Sequence, residues 1–189
     1  MRITRPFYLG KYEVTNAQWQ ILGGETIAGS DDKPTHPLIG AKWLDIQQQI
    51  SDAETLAPPG TTFALPTEAQ WEYACRAGTT TTWYFGNEEK RLKDYGWYAD
   101  NSKLQLQPVG KLLPNGFGLH DMLGNAIEHC SDPMNVDFYE RSPVEDPKDS
   151  NDNHSSVQRG GPQRMTPALT RSPTRLSQSR SGIWSGSGF

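Results

Sequence analysis

Six aromatic residues between Thr79 and Pro114 most constrain what this chain can become. Trp83, Tyr84, Phe85, Tyr95, Trp97 and Tyr98 follow neither a helical period nor a strand alternation. Large rings without periodicity pin long loops; they do not line a helix face. Composition agrees: only 34% of the 189 residues are hydrophobic, while 18 are Gly and 14 are Pro. That excludes a helical bundle and points to one loop-rich domain in which aromatic anchors replace aliphatic filling.

Regular elements are expected to be few and short. Phe7-Tyr8-Leu9-Gly10 with Tyr12-Glu13-Val14 reads as a strand kinked at Gly10. Thr15 and Gln18 match a capping box, so a helix is expected over 16–22, stopped by Gly23-Gly24. Residues 24–40 read as loop. Trp43, Ile46 and Ile50 recur every three or four residues, which predicts a helix over 41–53. Phe63-Ala64-Leu65 reads as extended before Pro66.

Leu65 to Gly78 carries a complete set of helix signals. Thr67 is a cap, Gln70 closes its box, and Glu68 lies where the helix dipole favours a carboxylate. Trp71, Ala74 and Cys75 share one face, Arg76 sits in the last turn, and Gly78 is the stop. Pro114-Asn115-Gly116 marks a turn. Residues 131–156, polar and with two Asp-Pro steps, read as surface loop, and a strand is expected around Val157.

Charge is divided along the chain. The net charge is -4, yet no acidic residue follows Asp152. The later charges are Arg159, Arg164, Arg171, Arg175 and Arg180. Either these arginines pair with acids elsewhere in the fold, or they form a cationic ligand face. No basic cluster carries interleaved aromatics, so nucleic acid is not the expected partner. Cys75 and Cys130 show no zinc spacing and are either free or joined in one disulfide. No apolar run is long enough to cross a membrane, and the N-terminus lacks a signal-peptide core. A cytoplasmic location is the default expectation.

Several motifs together resemble the formylglycine-generating enzyme family, also called sulfatase-modifying factors. They are Phe7 to Asn16, Leu65 to Gly78, Pro108-Val109-Gly110, Pro114 to Asn125, Arg159-Gly160-Gly161 and Gly188-Phe189. The resemblance spans nearly the whole chain. It implies one α+β domain over 1–189 with a C-type-lectin-like fold, little regular structure and a small sheet near the C-terminus. Members usually continue past the position of Phe189, so the final strand is expected to be clipped.

The resemblance also implies a reaction. Catalytic members oxidise a substrate cysteine to formylglycine with copper held by two cysteines, because soft Cu(I) prefers thiolate. Matching Arg171 to Arg175 and Gly188-Phe189 to that block places Pro167 and Ser172 at the two cysteine positions. Neither is a thiolate, so no copper and no formylglycine synthesis are expected. Asn125 and Glu128 match the family block that in some members helps hold structural Ca²⁺ through oxygen ligands. The alternative is a turn capped by Asn125 with Glu128 paired to an arginine. This chain has Ile127 and His129 where the family usually has Trp.

The C-terminal frame survives around unusual residues, as in the variable proteins of diversity-generating retroelements. Those proteins use exposed C-terminal positions to bind ligands. By that resemblance Arg164, Met165, Thr166, Ala168, Leu169, Thr170, Thr174, Leu176, Gln178, Ser179, Ile183 and Trp184 are the candidate contacts with an unidentified protein or other ligand. The expectation is therefore a non-catalytic ligand-binding domain. Its alternatives are a formylglycine-generating oxidase and a degenerate scaffolding domain of a larger protein.

Overall fold

The computed structural model describes residues 1–27, 30–150, 155–171 and 174–179. The fold is α+β and loop-rich. Among the described residues, five α-helices appear in the order α1 (Asn16–Ile21), α2 (Trp43–Ala53), α3 (Glu68–Arg76), α4 (Ala99–Ser102) and α5 (Phe138–Arg141). Strands β1 (Glu128–Pro133), β2 (Ser155–Arg159) and β3 (Leu176–Ser179) form one antiparallel sheet in the order β1-β2-β3. Glu128 pairs with Arg159, the register slips between His129 and Pro133, and Gln158 pairs with Leu176. No helix among the described residues is long and apolar enough to span a membrane.

Local chemistry sets the helix starts. Thr15 and Thr67 each accept the backbone N–H three residues on, while the Gln18 and Gln70 side chains return to the cap N–H. In α3 the apolar face of Trp71, Ala74 and Cys75 is buried as its spacing predicts. The helix ends with Ala77 and Gly78 both in left-handed conformation. The stripe of Trp43, Ile46 and Ile50 on α2 is only half-buried.

Trp71 and Cys75 meet Trp83, Tyr84, Leu92, Tyr98, Leu119, Met122, Leu123, Cys130 and Val157 in one core. Trp83, Phe85 and Tyr95 stack in sequence, with Trp83–Phe85 at 5.6 Å and Phe85–Tyr95 at 4.5 Å, and Arg91 lies over the last two rings. This ladder is how non-periodic aromatics hold a long loop. The loops also meet tightly: Gly124 has φ +90, and a Cβ there would run into the Trp97 carbonyl.

Two local expectations are corrected. Residues 7–14 form no strand: Tyr8 is 96% exposed, and Glu13 turns inward to hydrogen-bond Ala126 instead of alternating in a sheet. Residues 131–156 are not wholly surface loop. β1 begins before them and runs to Pro133, α5 follows, and Asp132 and Asp149 are buried. Asp132 accepts the Glu68 N–H at 2.8 Å and the Asp149 N–H at 2.9 Å, so it joins the start of α3 to the loop before β2.

Candidate functional site

The segment after β2 is held from behind by the backbone. Gly161 has φ +96, and a Cβ there would collide with the Met165 sulfur. Gln163 N–H donates to Asn125 C=O at 2.9 Å, and Ser102 Oγ donates to Gln163 C=O at 2.9 Å. Ala99 N–H donates to Met165 C=O at 3.0 Å. A 3₁₀ turn over Pro167–Thr170 follows, with Pro at its first position and Thr166 as cap. Thr170 Oγ donates to Pro167 C=O at 2.8 Å and accepts Trp83 Nε1–H at 3.4 Å.

This anchoring sorts the candidate contacts into two sets. Arg164, Thr166, Ala168 and Leu169 are exposed. Met165 and Thr170 are buried, and they correct the expectation that they would meet a ligand. Met165 fills the space that Gly161 leaves open, and Thr170 satisfies a buried indole N–H. Thr174 and Leu176 are half-buried at the start of β3. Gln178 and Ser179 pair with Ser156 and Ser155 through the β2–β3 ladder. Ile183 and Trp184 lie outside the described residues, as does Ser172.

The arginines divide in the same way. Arg159 is fully buried, donating to Glu68 at 3.3 Å and Glu72 at 2.8 Å, with its guanidinium 5.0 Å from the Trp71 ring centre. Arg175 Nε lies 2.6 Å from the same Glu68. Arg164 and Arg171 are exposed and make no ion pair among the described residues. Pairing with acids therefore holds for Arg159 and Arg175 and not, among the described residues, for Arg164 and Arg171. Glu68, read from sequence as a dipole partner in a first turn, is the hub of a buried network, since Tyr139 Oη also donates to it at 3.2 Å. Nothing local in the sequence marks that role, because its partners lie 71 to 107 positions away.

Asn125 and Glu128 stand on either side of a buried acidic corner. Asn125 has φ +60 and no exposure. Its oxygen accepts Gln107 N–H at 3.0 Å, and its amide nitrogen donates to Glu13 at 2.7 Å. Glu13 also accepts Ala126 N–H at 2.8 Å. Burial pushes the Glu128 carboxyl up to about 7; the neighbouring Trp71 indole opposes the rise and the Asp121 charge adds to it. Burial, then the Glu128 and Asp121 charges, raise Glu13 well above its ordinary range. Among the described residues no group of three or more His, Cys, Asp or Glu side chains is placed to hold a metal. Glu13 is the member of this corner that sequence reading missed, because its partners are 112 and 113 residues away.

Cys75 and Cys130 are both buried and not joined in a disulfide, which decides between the two expectations. Burial raises the Cys130 thiol well above its ordinary value, so it is held protonated. Pro167 offers no side-chain donor at the position where the family's first copper thiolate would fall.

Comparison with known proteins agrees with this architecture. The family model described as "Sulfatase-modifying factor enzyme 1-like domain" matches residues 1–189. The formylglycine-generating enzyme of Streptomyces coelicolor is 32% identical over 162 residues, covering 78% of this chain and 48% of that enzyme. The chain thus spans about half the length of curated relatives it matches. Treponema denticola variable protein 1 superposes with a TM-score of 0.76 at 24% identity, covering 91% of this chain and 80% of that one. PvdO from Pseudomonas aeruginosa gives 0.77 at 22% identity, covering 90% and 74%. The chain belongs to the sulfatase-modifying factor family.

Proposed function

We propose that this chain is a non-catalytic binding domain whose C-terminal face takes a protein or other ligand. One observation carries the reading. Between Gly161 and Arg171 the backbone is tied down by interior contacts, while Arg164, Thr166, Ala168 and Leu169 face solvent. A fixed frame with free side chains presents a surface at low ordering cost. The fold shared with a variable protein supports the reading, as does the resemblance of the C-terminal frame to retroelement variable proteins. The C-type-lectin-like assignment belongs to the same proposal. Pro167 and Ser172 at the copper positions, with both cysteines buried elsewhere, argue against the family's oxidase chemistry.

Two measurements test this. Substitutions at Arg164, Thr166, Ala168 and Leu169 should each change stability by no more than about 0.5 kcal/mol, whereas Met165→Asp should unfold the domain. Copper titration with a cysteine-containing peptide should give no copper-dependent oxygen uptake. Turnover there would replace the binding reading with the oxidase one. A search for a neighbouring reverse transcriptase and varied C-terminal codons tests whether the face is diversified. A scaffolding role in a longer protein is the alternative if the face binds nothing.

A further inference from the structure

The chain contains one Asn-Gly step, Asn115-Gly116. Glycine has no side chain to shield its backbone nitrogen, and it bends freely toward the side chain before it. In an unfolded chain that nitrogen reaches the carboxamide carbon of Asn115. The step is a chemically reactive point, and the fold decides whether it reacts.

The native turn immobilises the reacting carbon. Asn115 is 6% exposed, although Gly116 beside it is open to solvent. Asn115 Nδ2 donates to Ala74 C=O at 2.7 Å and to Cys75 C=O at 3.1 Å. Its Oδ1 accepts Phe117 N–H at 2.9 Å and Leu119 N–H at 3.1 Å. Its own N–H donates to Leu119 C=O at 2.8 Å, and its C=O accepts Gly118 N–H at 3.0 Å. The carboxamide is thus held from two segments, the end of α3 and the turn itself. Closing a ring onto Gly116 requires breaking these bonds and swinging the carboxamide out of its site.

The same contacts make the amide indispensable. The Ala74 and Cys75 carbonyls belong to the last turn of α3, where helix carbonyls lack intrahelical partners. A carboxylate in place of the amide would set a negative charge against two carbonyl oxygens at the negative end of the helix dipole. An isoaspartate would also lengthen the backbone by a methylene inside the paired turn. Leu119 lies in the core with Trp71 and Cys75, so loss of the turn reaches the centre of the domain.

We propose that Asn115 is a deamidation site, closed in the folded domain and opened by unfolding, and that its conversion prevents refolding. The Gly116 nitrogen attacks Asn115 Cγ and loses its proton. The Cγ–Nδ2 bond breaks and ammonia leaves, giving a cyclic imide. Water then opens either C–N bond of the imide, leaving an aspartate or an isoaspartate at position 115. No electrons are exchanged, and water is the only co-reactant.

The test follows the full chain at mildly alkaline pH, in buffer and in denaturing urea, with the 115–116 peptide read by mass spectrometry after digestion. Conversion in buffer should be at least about tenfold slower than in urea, because it waits on opening of the turn. After dilution from urea, recovery of native tryptophan fluorescence should fall in step with conversion. Asn115→Asp supplies the converted side chain directly and should stay unfolded where the parent recovers. Gly116→Ala keeps the test independent of that variant: its methyl would meet only Ala77, at 3.6 Å, so the fold should survive. The same methyl shields the nitrogen, so conversion in urea should slow at least about fivefold and recovery should persist longer. Equal rates in buffer and urea would overturn the protection by the turn. Full recovery of converted chains, a parental urea midpoint for Asn115→Asp, or loss of recovery in Gly116→Ala at the parental rate would overturn the refolding block.

Discussion

The Arg159 guanidinium donates to the Glu72 carboxylate at 2.8 Å, tying β2 to α3 through a side chain with no solvent exposure. Glu68 is the second acid on that guanidinium, and Trp71 lies beneath it. Arg159→Met should cost about 3–5 kcal/mol, because it removes one partner of a buried ionic network and leaves Glu68 with Arg175 alone. Urea unfolding monitored by tryptophan fluorescence measures it. A loss below about 1 kcal/mol would mean that Arg175 alone compensates Glu68.

Stability should depend on pH through Glu128. Its carboxyl is raised to about 7 by burial, with the neighbouring Trp71 indole opposing and the Asp121 charge adding. The folded state therefore holds a proton that the unfolded chain has released. The associated stability is present below the ordinary glutamate range and is lost as pH rises to about 7. Glu13 shifts in the same direction. The melting temperature is expected to fall between pH 5 and pH 8, and Glu128→Gln should flatten that fall. A profile unchanged by the substitution would place the titration elsewhere.

Gly124→Ala should destabilise well beyond the roughly 1 kcal/mol of an ordinary glycine replacement. The residue has φ +90, and the added methyl would meet the Trp97 carbonyl. Gly78→Ala, also at positive φ but with open space around its Cβ position, is the control for backbone strain alone. Thermal melts of both variants separate the two effects; equal losses would mean that the Trp97 contact relaxes away.

Millimolar Ca²⁺ is expected to leave the melting temperature unchanged. The Asn125 amide nitrogen, not its oxygen, faces the Glu13 carboxylate, and among the described residues no three His, Cys, Asp or Glu side chains are grouped to hold a metal. A Ca²⁺-dependent rise that Glu128→Gln removes would show that Glu128 helps hold the ion.

What the sequence determined by itself was local. Thr67 with Gln70 and Thr15 with Gln18 announced their helices, since a capping box is complete within four residues. Pro167 and Ser172 argued against copper chemistry because a side chain's donor atoms are a matter of composition alone. The motif set was specific enough to point to the family. Only the tertiary structure decided which charged and polar side chains face inward. Glu13 reads locally as part of a strand, yet it folds against Asn125 and Ala126 across more than a hundred residues. Arg159 and Arg175 share the arginine-rich tail with Arg164 and Arg171, yet the first two are drawn to Glu68 and the others stay in water. Met165 and Thr170 alternate with exposed neighbours because Gly161 and the Trp83 indole leave them places to fill. Those partners are distant in sequence, and burial is settled by what a side chain finds after the loops close.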